Sequence, residues 1–311
     1  MSTVRPAQRG LLFLGCLLAF VRWEPAPYDL FLIIIFLLYA RGLTWKSYQL
    51  VFVVLLGPLL FTHVPALGAA LEVAPERTLY YSLVTLYLAL SSVFFMSLPE
   101  RSVPLLLLGY EVGALLSGLL GVLAFLRIPG LEDLLWGGSR AVAFFKDPNV
   151  FGAFLIPALF LALARLEQGR KFWILPALIL FLGVLVSLSR GAWANFAVAL
   201  LAWWLLRPRK RIWLPLVLLT LAGGVGISVV VMPDNPIVQR LGFMPYDKER
   251  FFTQMEALSL ALTQPLGYGP GLSEIHLSYA THNTYVRFLA EVGWLGLFFW
   301  LLILGTSLIW S

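Results

Sequence analysis

The run VPLLLLGYEVGALLSGLLGVLAFL, residues 103–126, carries one charged side chain, Glu111, in a stretch long enough to cross a bilayer as a helix. The hydrocarbon core is about 30 Å thick and a helix rises about 1.5 Å per residue, so about 20 apolar residues suffice. Similar runs recur through the 311 residues, broken by short clusters of charge, Pro and Gly. They predict about ten spans: 10–23, 28–40, 48–62, 78–98, 103–126, 149–165, 172–189, 191–206, 213–232 and 284–310. The first two are short, and Pro25 and Pro27 between them also fit a re-entrant hairpin. Composition agrees, with 60% hydrophobic and 12% charged residues against roughly 45–50% and about 25% in soluble domains. The expected fold is all-α, a polytopic transmembrane helix bundle forming a single membrane domain over residues 1–311.

A formal net charge of +6 would suit nucleic acid, but its placement excludes that class. With the N-terminus inside, the cytoplasmic segments hold twelve basic residues, among them Arg207, Arg209, Lys210 and Arg211 in one turn, against the acidic Glu100 and Glu167. The opposite side holds nine basic and twelve acidic residues over far longer loops. The basic excess is therefore a topology signal, with membrane lipid as the surrounding medium. Cys16, the only cysteine, lies within the first apolar run and has no disulfide partner, so it reads as packing. No small-x-small cleavage site follows that run, which predicts a retained first helix.

This orientation turns loops 63–77, 127–148 and 233–283 outward, and the last, a large periplasmic loop, has room for a site. Its middle, from Asp247 to Leu262, reads as a helix with Asp247 as N-cap. Phe251, Met255, Leu258 and Leu262 share one face, so the helix is amphipathic and would lie on the membrane or over the bundle. Arg250 then falls in the first turn, where free N–H groups and the helix dipole favour an anion, and Gln254 follows one turn on. A solvated Arg250 paired with Asp247 or Glu249 fits the same residues. In Gln264-Pro-Leu-Gly267-Tyr-Gly269-Pro-Gly271 three glycines alternate, but no strand precedes them and Pro270 interrupts, so a rigid turn is expected rather than a nucleotide loop.

Other polar residues sit at helix ends or inside helices. Ser189-Arg190-Gly191 joins two spans tightly, leaving Arg190 at the outer boundary either to snorkel or to hold an anion. Lys146-Asp147-Pro148-Asn149 opens the sixth span with Asp147 as cap and Pro148 at the first helical position. Glu111 and Glu291 are intramembrane acids that need partners, and Arg287, one turn before Glu291, is the natural one there. The three histidines, His63, His276 and His282, show no metal-ligand spacing, so no metal site is expected.

Five motifs in order, Phe145-Lys-Asp-Pro-Asn149, Ser187-Leu-Ser-Arg-Gly191, Arg250, Pro265-Leu-Gly-Tyr-Gly269 and His282-Asn283 with Glu291-Val-Gly293, resemble the O-antigen ligase and O-antigen polymerase superfamily. The resemblance covers residues 145–311. It implies a bacterial inner-membrane, multi-pass glycosyltransferase acting on the periplasmic face, without cofactor or metal ion. Its donor would be an undecaprenyl-diphosphate-linked glycan and its acceptor a glycan, lipid A core or protein. By the same resemblance His282 is the catalytic residue and Arg190 and Arg250 bind the diphosphate. Lys146, Asp147, Asn149, Gln254, Asn283, Arg287 and Glu291 are possible supporting residues. Relatives of this kind usually continue past the last span with another helix or two, whereas this chain stops at Ser311.

The rival class is a transporter or flippase of a lipid-linked glycan, which tends to show internal repeats and helices broken near mid-membrane. The sequence displays neither convincingly. The orientation itself has a direct check: in intact cells, a single cysteine placed in the 233–283 loop should react with an impermeant thiol reagent, and one in the 207–212 turn should not.

Overall fold

The computed structural model of the chain describes residues 6–39, 47–206, 245–277 and 283–309. The expected ninth span, 213–232, and the basic turn before it lie outside the described residues. The described helices, in chain order, are α1 (Pro6–Leu17), α2 (Pro27–Tyr39), α3 (Ser47–Phe61), α4 (Leu67–Val73), α5 (Pro75–Met96), α6 (Val103–Phe125), α7 (Pro148–Glu167), α8 (Ile174–Val186), α9 (Arg190–Leu206), α10 (Pro245–Thr263), α11 (Ser273–His276) and α12 (Thr284–Ile309). A two-residue hairpin, β1 (Leu135–Trp136) and β2 (Arg140–Ala141), interrupts the helical pattern in the loop before α7.

Among the described residues, four stretches are long and apolar enough to cross a membrane: Pro75–Met96, Glu100–Phe125, Pro148–Glu167 and Thr284–Ser307. Three more, Pro27–Tyr39, Gln49–Phe61 and Lys171–Val186, are apolar but shorter. Along α5, Leu79, Leu83, Leu86 and Leu90 are all exposed, which in water would be an aggregation surface and in a bilayer is the lipid-facing side. The protein is thus a multi-pass, mainly helical membrane protein. The first expected span differs in detail: α1 ends at Leu17, and its 12 residues rise only about 18 Å. Beyond it the chain leaves the helix, and Val21 N donates to Phe144 O (3.1 Å).

The described chain falls into two compact units whose segments interleave: Met1–Arg41 with Glu100–Gly242, and Gly42–Pro99 with Phe243–Ser311. In the first unit α1 lies against α6, and glycine lets the two backbones approach. A Cβ on Gly109 would stand 1.9 Å from Leu12 O, and one on Gly15 2.2 Å from Leu106 O. Since lipid tails are as apolar as leucine, small residues that permit such close packing are what holds helices together in a bilayer. The rest of this core is conventional, with Phe151, Leu155, Leu159, Leu180 and Val184 closing α7 onto α8.

Glu111, 4% exposed, finds a partner that its own surroundings in sequence do not offer. The guanidinium of Arg165, at the far end of α7, lies 2.5 Å from its carboxylate and stacks 4.1 Å over the Trp173 ring. Breaking such a pair leaves a buried charge without compensation, which is the costly direction.

In the second unit α12 packs against α10 and α3, and α3 against α5. The face of α10 turned inward is made of small residues, Thr253, Ala257 and Ala261, while Phe251, Met255, Leu258 and Leu262 are all exposed. The apolar stripe expected from spacing is there, directed away from the protein and suited to lipid.

The α1–α6 contact gives a stability prediction. Gly109→Ala should cost about 1–3 kcal/mol by overpacking, whereas Gly57→Ala in α3, where an added Cβ meets nothing within 4 Å, should be neutral or slightly stabilising. Thermal unfolding of the two variants in detergent checks this; equal melting would contradict the close contact.

Candidate functional site

In the first unit the structure brings together two of the sequence motifs through a residue that belongs to neither. The turn from α8 into α9 is tight. Leu188 takes a left-handed conformation (φ 48°), which costs on the order of 1–3 kcal/mol for a side chain of this kind. Hydroxyls on both sides hold it: Ser187 Oγ accepts from Ser189 N (3.3 Å) and Ser189 Oγ from Ala192 N (3.1 Å). Ser189 thereby caps α9, and Arg190 becomes its first residue, half-buried. The Ser187 carbonyl accepts from Arg140 Nε (3.2 Å), and an outer nitrogen of the same guanidinium donates to Asn149 Oδ1 (3.1 Å).

Arg140 is 8% exposed and clamps the start of α7 to the turn that carries Arg190. It was not singled out from the sequence. The available signal was Gly137-Gly138, both at positive φ, followed after Ser139 by a basic residue in the loop before α7. Around it, Asp147 caps α7 by accepting from Asn149 N (2.6 Å), and Lys146 forms an exposed ion pair with Glu24.

In the second unit α10 begins at Pro245, two residues before the expected cap. Proline suits the first helical position because its missing N–H would have been unbonded there anyway. Asp247 consequently lies inside the first turn, and Arg250 moves to the second. The free N–H groups of the helix start are therefore not at Arg250, which corrects the first-turn expectation. Arg250 and Gln254 are both half-buried.

The glycine-rich segment after α10 is indeed a rigid turn, and it meets a helix broken to receive it. At Gly293 α12 leaves helical geometry (φ 70°, ψ −170°), a conformation essentially confined to glycine. The groups freed by the break are bonded by the incoming loop: Tyr268 N to Ala290 O (2.9 Å), Gly269 N to Glu291 O (2.9 Å) and Trp294 N to Pro265 O (3.1 Å). A Cβ at Gly293 would stand 2.0 Å from Pro265 O, and one at Gly267 2.4 Å from Glu291 O. A broken helix was not evident from the sequence.

Charged residues gather around this junction. Arg287 Nε donates to Glu291 Oε1 (2.9 Å), as the four-residue spacing predicts, and Ser273 Oγ donates to the same oxygen (2.6 Å). Arg77 Nε donates to Gly271 O (2.6 Å) and its guanidinium pairs with Glu274. Arg77 and Arg287 both approach the Tyr81 ring, at 5.2 and 4.5 Å. Asn283 caps α12, its Oδ1 accepting from Tyr285 N (3.0 Å) and Val286 N (3.3 Å). His282, immediately before it, lies outside the described residues. Among the described residues no cluster of three His, Cys, Asp or Glu side chains forms a metal-ligand set.

Residues 175–301 match the family model described as O-antigen ligase. The chain carries an O-antigen ligase domain. Over that stretch, which is under half of the chain, it is similar to the O-antigen ligase family, and the match supports that family's activity in its broad sense, glycan transfer from a lipid-linked donor to a glycan acceptor. No curated protein and no solved structure matches the chain. The O-antigen ligase match spans Arg190, Arg250, the glycine-rich turn, His282 and the break in α12, and it stops short of Arg140 and Asn149 on the N-terminal side.

Within the O-antigen ligase domain, Gly293→Ala should release the glycine-rich turn from α12. Amide hydrogen exchange at Tyr268, Gly269 and Trp294 should then rise by an order of magnitude or more while the interior of α7 stays protected. Unchanged exchange at those three amides would mean the junction does not depend on the glycine.

Proposed function

We propose that the chain moves a glycan from an undecaprenyl-diphosphate carrier to an acceptor hydroxyl on the periplasmic face, without a metal ion. The observation that carries this is the O-antigen ligase match over residues 175–301, a range that includes Arg190, Arg250 and the His282-Asn283 pair.

In the proposed reaction the acceptor oxygen bonds to the anomeric carbon as the bond from that carbon to the diphosphate oxygen breaks. Undecaprenyl diphosphate leaves with the electron pair, and the acceptor proton passes to His282. Negative charge grows on the leaving group, so fixed guanidinium groups stabilise the transition state more than the ground state. Arg190 and Arg250 take this role. The acceptor hydroxyl has a pKa far above neutral and needs a base that titrates near the working pH, which histidine supplies. Arg140 is a positioning residue in this scheme, acting through the turn that bears Arg190. The acceptor class, whether lipid A core, a second carrier-linked repeat or a protein, is left to the assay.

The break at Gly293 is the one observation that favours a transporter, since transporters use interrupted helices to expose backbone groups to their cargo. Here the freed carbonyls of Ala290 and Glu291 are already bonded to the glycine-rich turn, which supports a static junction instead.

The test is transfer by the purified chain from undecaprenyl-diphosphate glycan to candidate acceptors, followed by mass spectrometry. His282→Ala should lose roughly 10²–10⁴-fold in turnover with donor binding nearly intact. His282→Gln should be nearly as poor; a folded Gln variant turning over at the wild-type rate excludes the base role. Alanine at Arg190 or Arg250 should weaken donor use sharply and lysine should restore it only in part, because a point charge cannot form the paired contact.

A further inference from the structure

The Arg140 clamp has an aromatic residue standing on it. Across the hairpin Trp136 pairs with Arg140 in antiparallel register, and the guanidinium lies 5.7 Å from the centre of the indole ring. Ser139 N donates to Trp136 O (3.3 Å) and closes the turn, while Gly137 and Gly138 add no side chain that could cover the ring. Arg140 is buried, yet Trp136 is 54% exposed. A tryptophan can bury roughly 150–250 Å², so the fold leaves about half of that contribution unused.

The exposed ring is also held still. Val142 N and Ala143 N both donate to Leu134 O (3.0 and 3.1 Å), Ala141 and Ala143 are fully buried, and Arg22 Nη1 donates to Asp133 O (2.8 Å). A rigid flat surface loses little freedom when a ligand settles on it. Its neighbours decide which ligand that is. Glu132, Asp133 and Ser139 are the exposed side chains beside Trp136 on this loop, and Leu135 lies on the other face of the strand because successive residues alternate. A segment that dips into lipid presents several apolar side chains together, whereas an indole among carboxylates and a hydroxyl suits a sugar ring. The C–H groups on one face of a pyranose carry slight positive charge and meet the negative face of the indole, by the same electrostatics that draws a cation there. Its hydroxyls can donate to the carboxylates.

We propose that Trp136 is a specificity-determining residue of the transferase, its open face stacking on a sugar ring of the glycan. Its position fits that role. Arg140 joins the ring to the Ser187 carbonyl, three residues before Arg190, and the sugars of the donor are bonded to the diphosphate that Arg190 would hold. The glycan as occupant rests on the transferase reading; the platform itself rests on the hairpin.

The experiment presents the full chain, in phosphatidylcholine nanodiscs, to an array of bacterial surface-polysaccharide repeat units with no carrier lipid attached. Wild type should bind at least one member. Trp136→Ala should weaken that binding roughly tenfold or more, and Trp136→Phe, which keeps a ring, by less than about threefold. Both should melt close to wild type, because the side chain is half-exposed. The difference in indole emission between wild type and Trp136→Phe isolates this ring and stands even if Trp136→Ala does not fold. It should change when the bound saccharide is added and stay unquenched by brominated phosphatidylcholine. Wild type binding no member, equal binding by Trp136→Ala, or an emission difference blind to the saccharide overturns the platform; quenching by the brominated lipid assigns the ring to the membrane instead. In the transfer assay Trp136→Ala should raise the donor KM roughly tenfold with kcat within about twofold, a split that loss of folded protein does not produce. A chain that binds the saccharide and transfers nothing sinks the transferase reading alone, and transfer with the donor KM unchanged in Trp136→Ala sinks the platform alone.

Discussion

The second unit depends on a gap in a helix. Within hydrocarbon an unbonded backbone group costs several kcal/mol, so a helix can break there only if something supplies the missing partners. At Gly293 the supplier is the glycine-rich turn after α10, which bonds Ala290 O, Glu291 O and Trp294 N and needs glycine on both sides of the seam to come close enough. The turn brings Ser273 onto Glu291 and Gly271 onto Arg77. Those two contacts of the polar cluster, at Ser273 and Arg77, are thus by-products of one backbone repair.

The first unit reaches its arrangement by a different economy. Here the close approaches join whole helices, α1 to α6 through Gly15 and Gly109, and the polar work is concentrated in Arg140. One guanidinium bonds a backbone carbonyl in the turn before α9 and a side-chain carbonyl at the start of α7. The strained conformation of Leu188 persists because Ser187, Ser189 and Arg140 fix the backbone around it, which sets the direction in which Arg190 leaves the turn.

What was legible in the sequence was local. The apolar stripe of α10, the rigid turn at Pro265–Gly271, the cap at Asp147 and the Arg287–Glu291 pair each follow from spacing within a few residues. Hydrophobic periodicity likewise located most helices, although the short α1 shows that an apolar run need not be helical to its end. Features that join distant segments were not legible. Nothing near Glu111 names Arg165 as its partner, and nothing near Arg140 announces Ser187 and Asn149. The start of α10 was misread because Asp247 is an acceptable cap, and only the helix itself shows that Pro245 already occupies the first position. A helix break at a single glycine is also invisible when the residues around it remain apolar.

The glycine contact between α1 and α6 has a consequence for the nascent chain. About 94 residues separate Gly15 from Gly109, so at roughly 5–20 residues per second α1 waits on the order of 5–20 s before the surface it fits has been synthesised. During that interval α2, α3 and α5 emerge into the same membrane, and two of them belong to the other unit. A short helix with an exposed glycine seam has to remain unclaimed by those neighbours, and the seam itself provides the discrimination. Of those three helices only α3 carries a glycine, Gly57, so the seam discriminates against α2 and α5 by the width of one side chain.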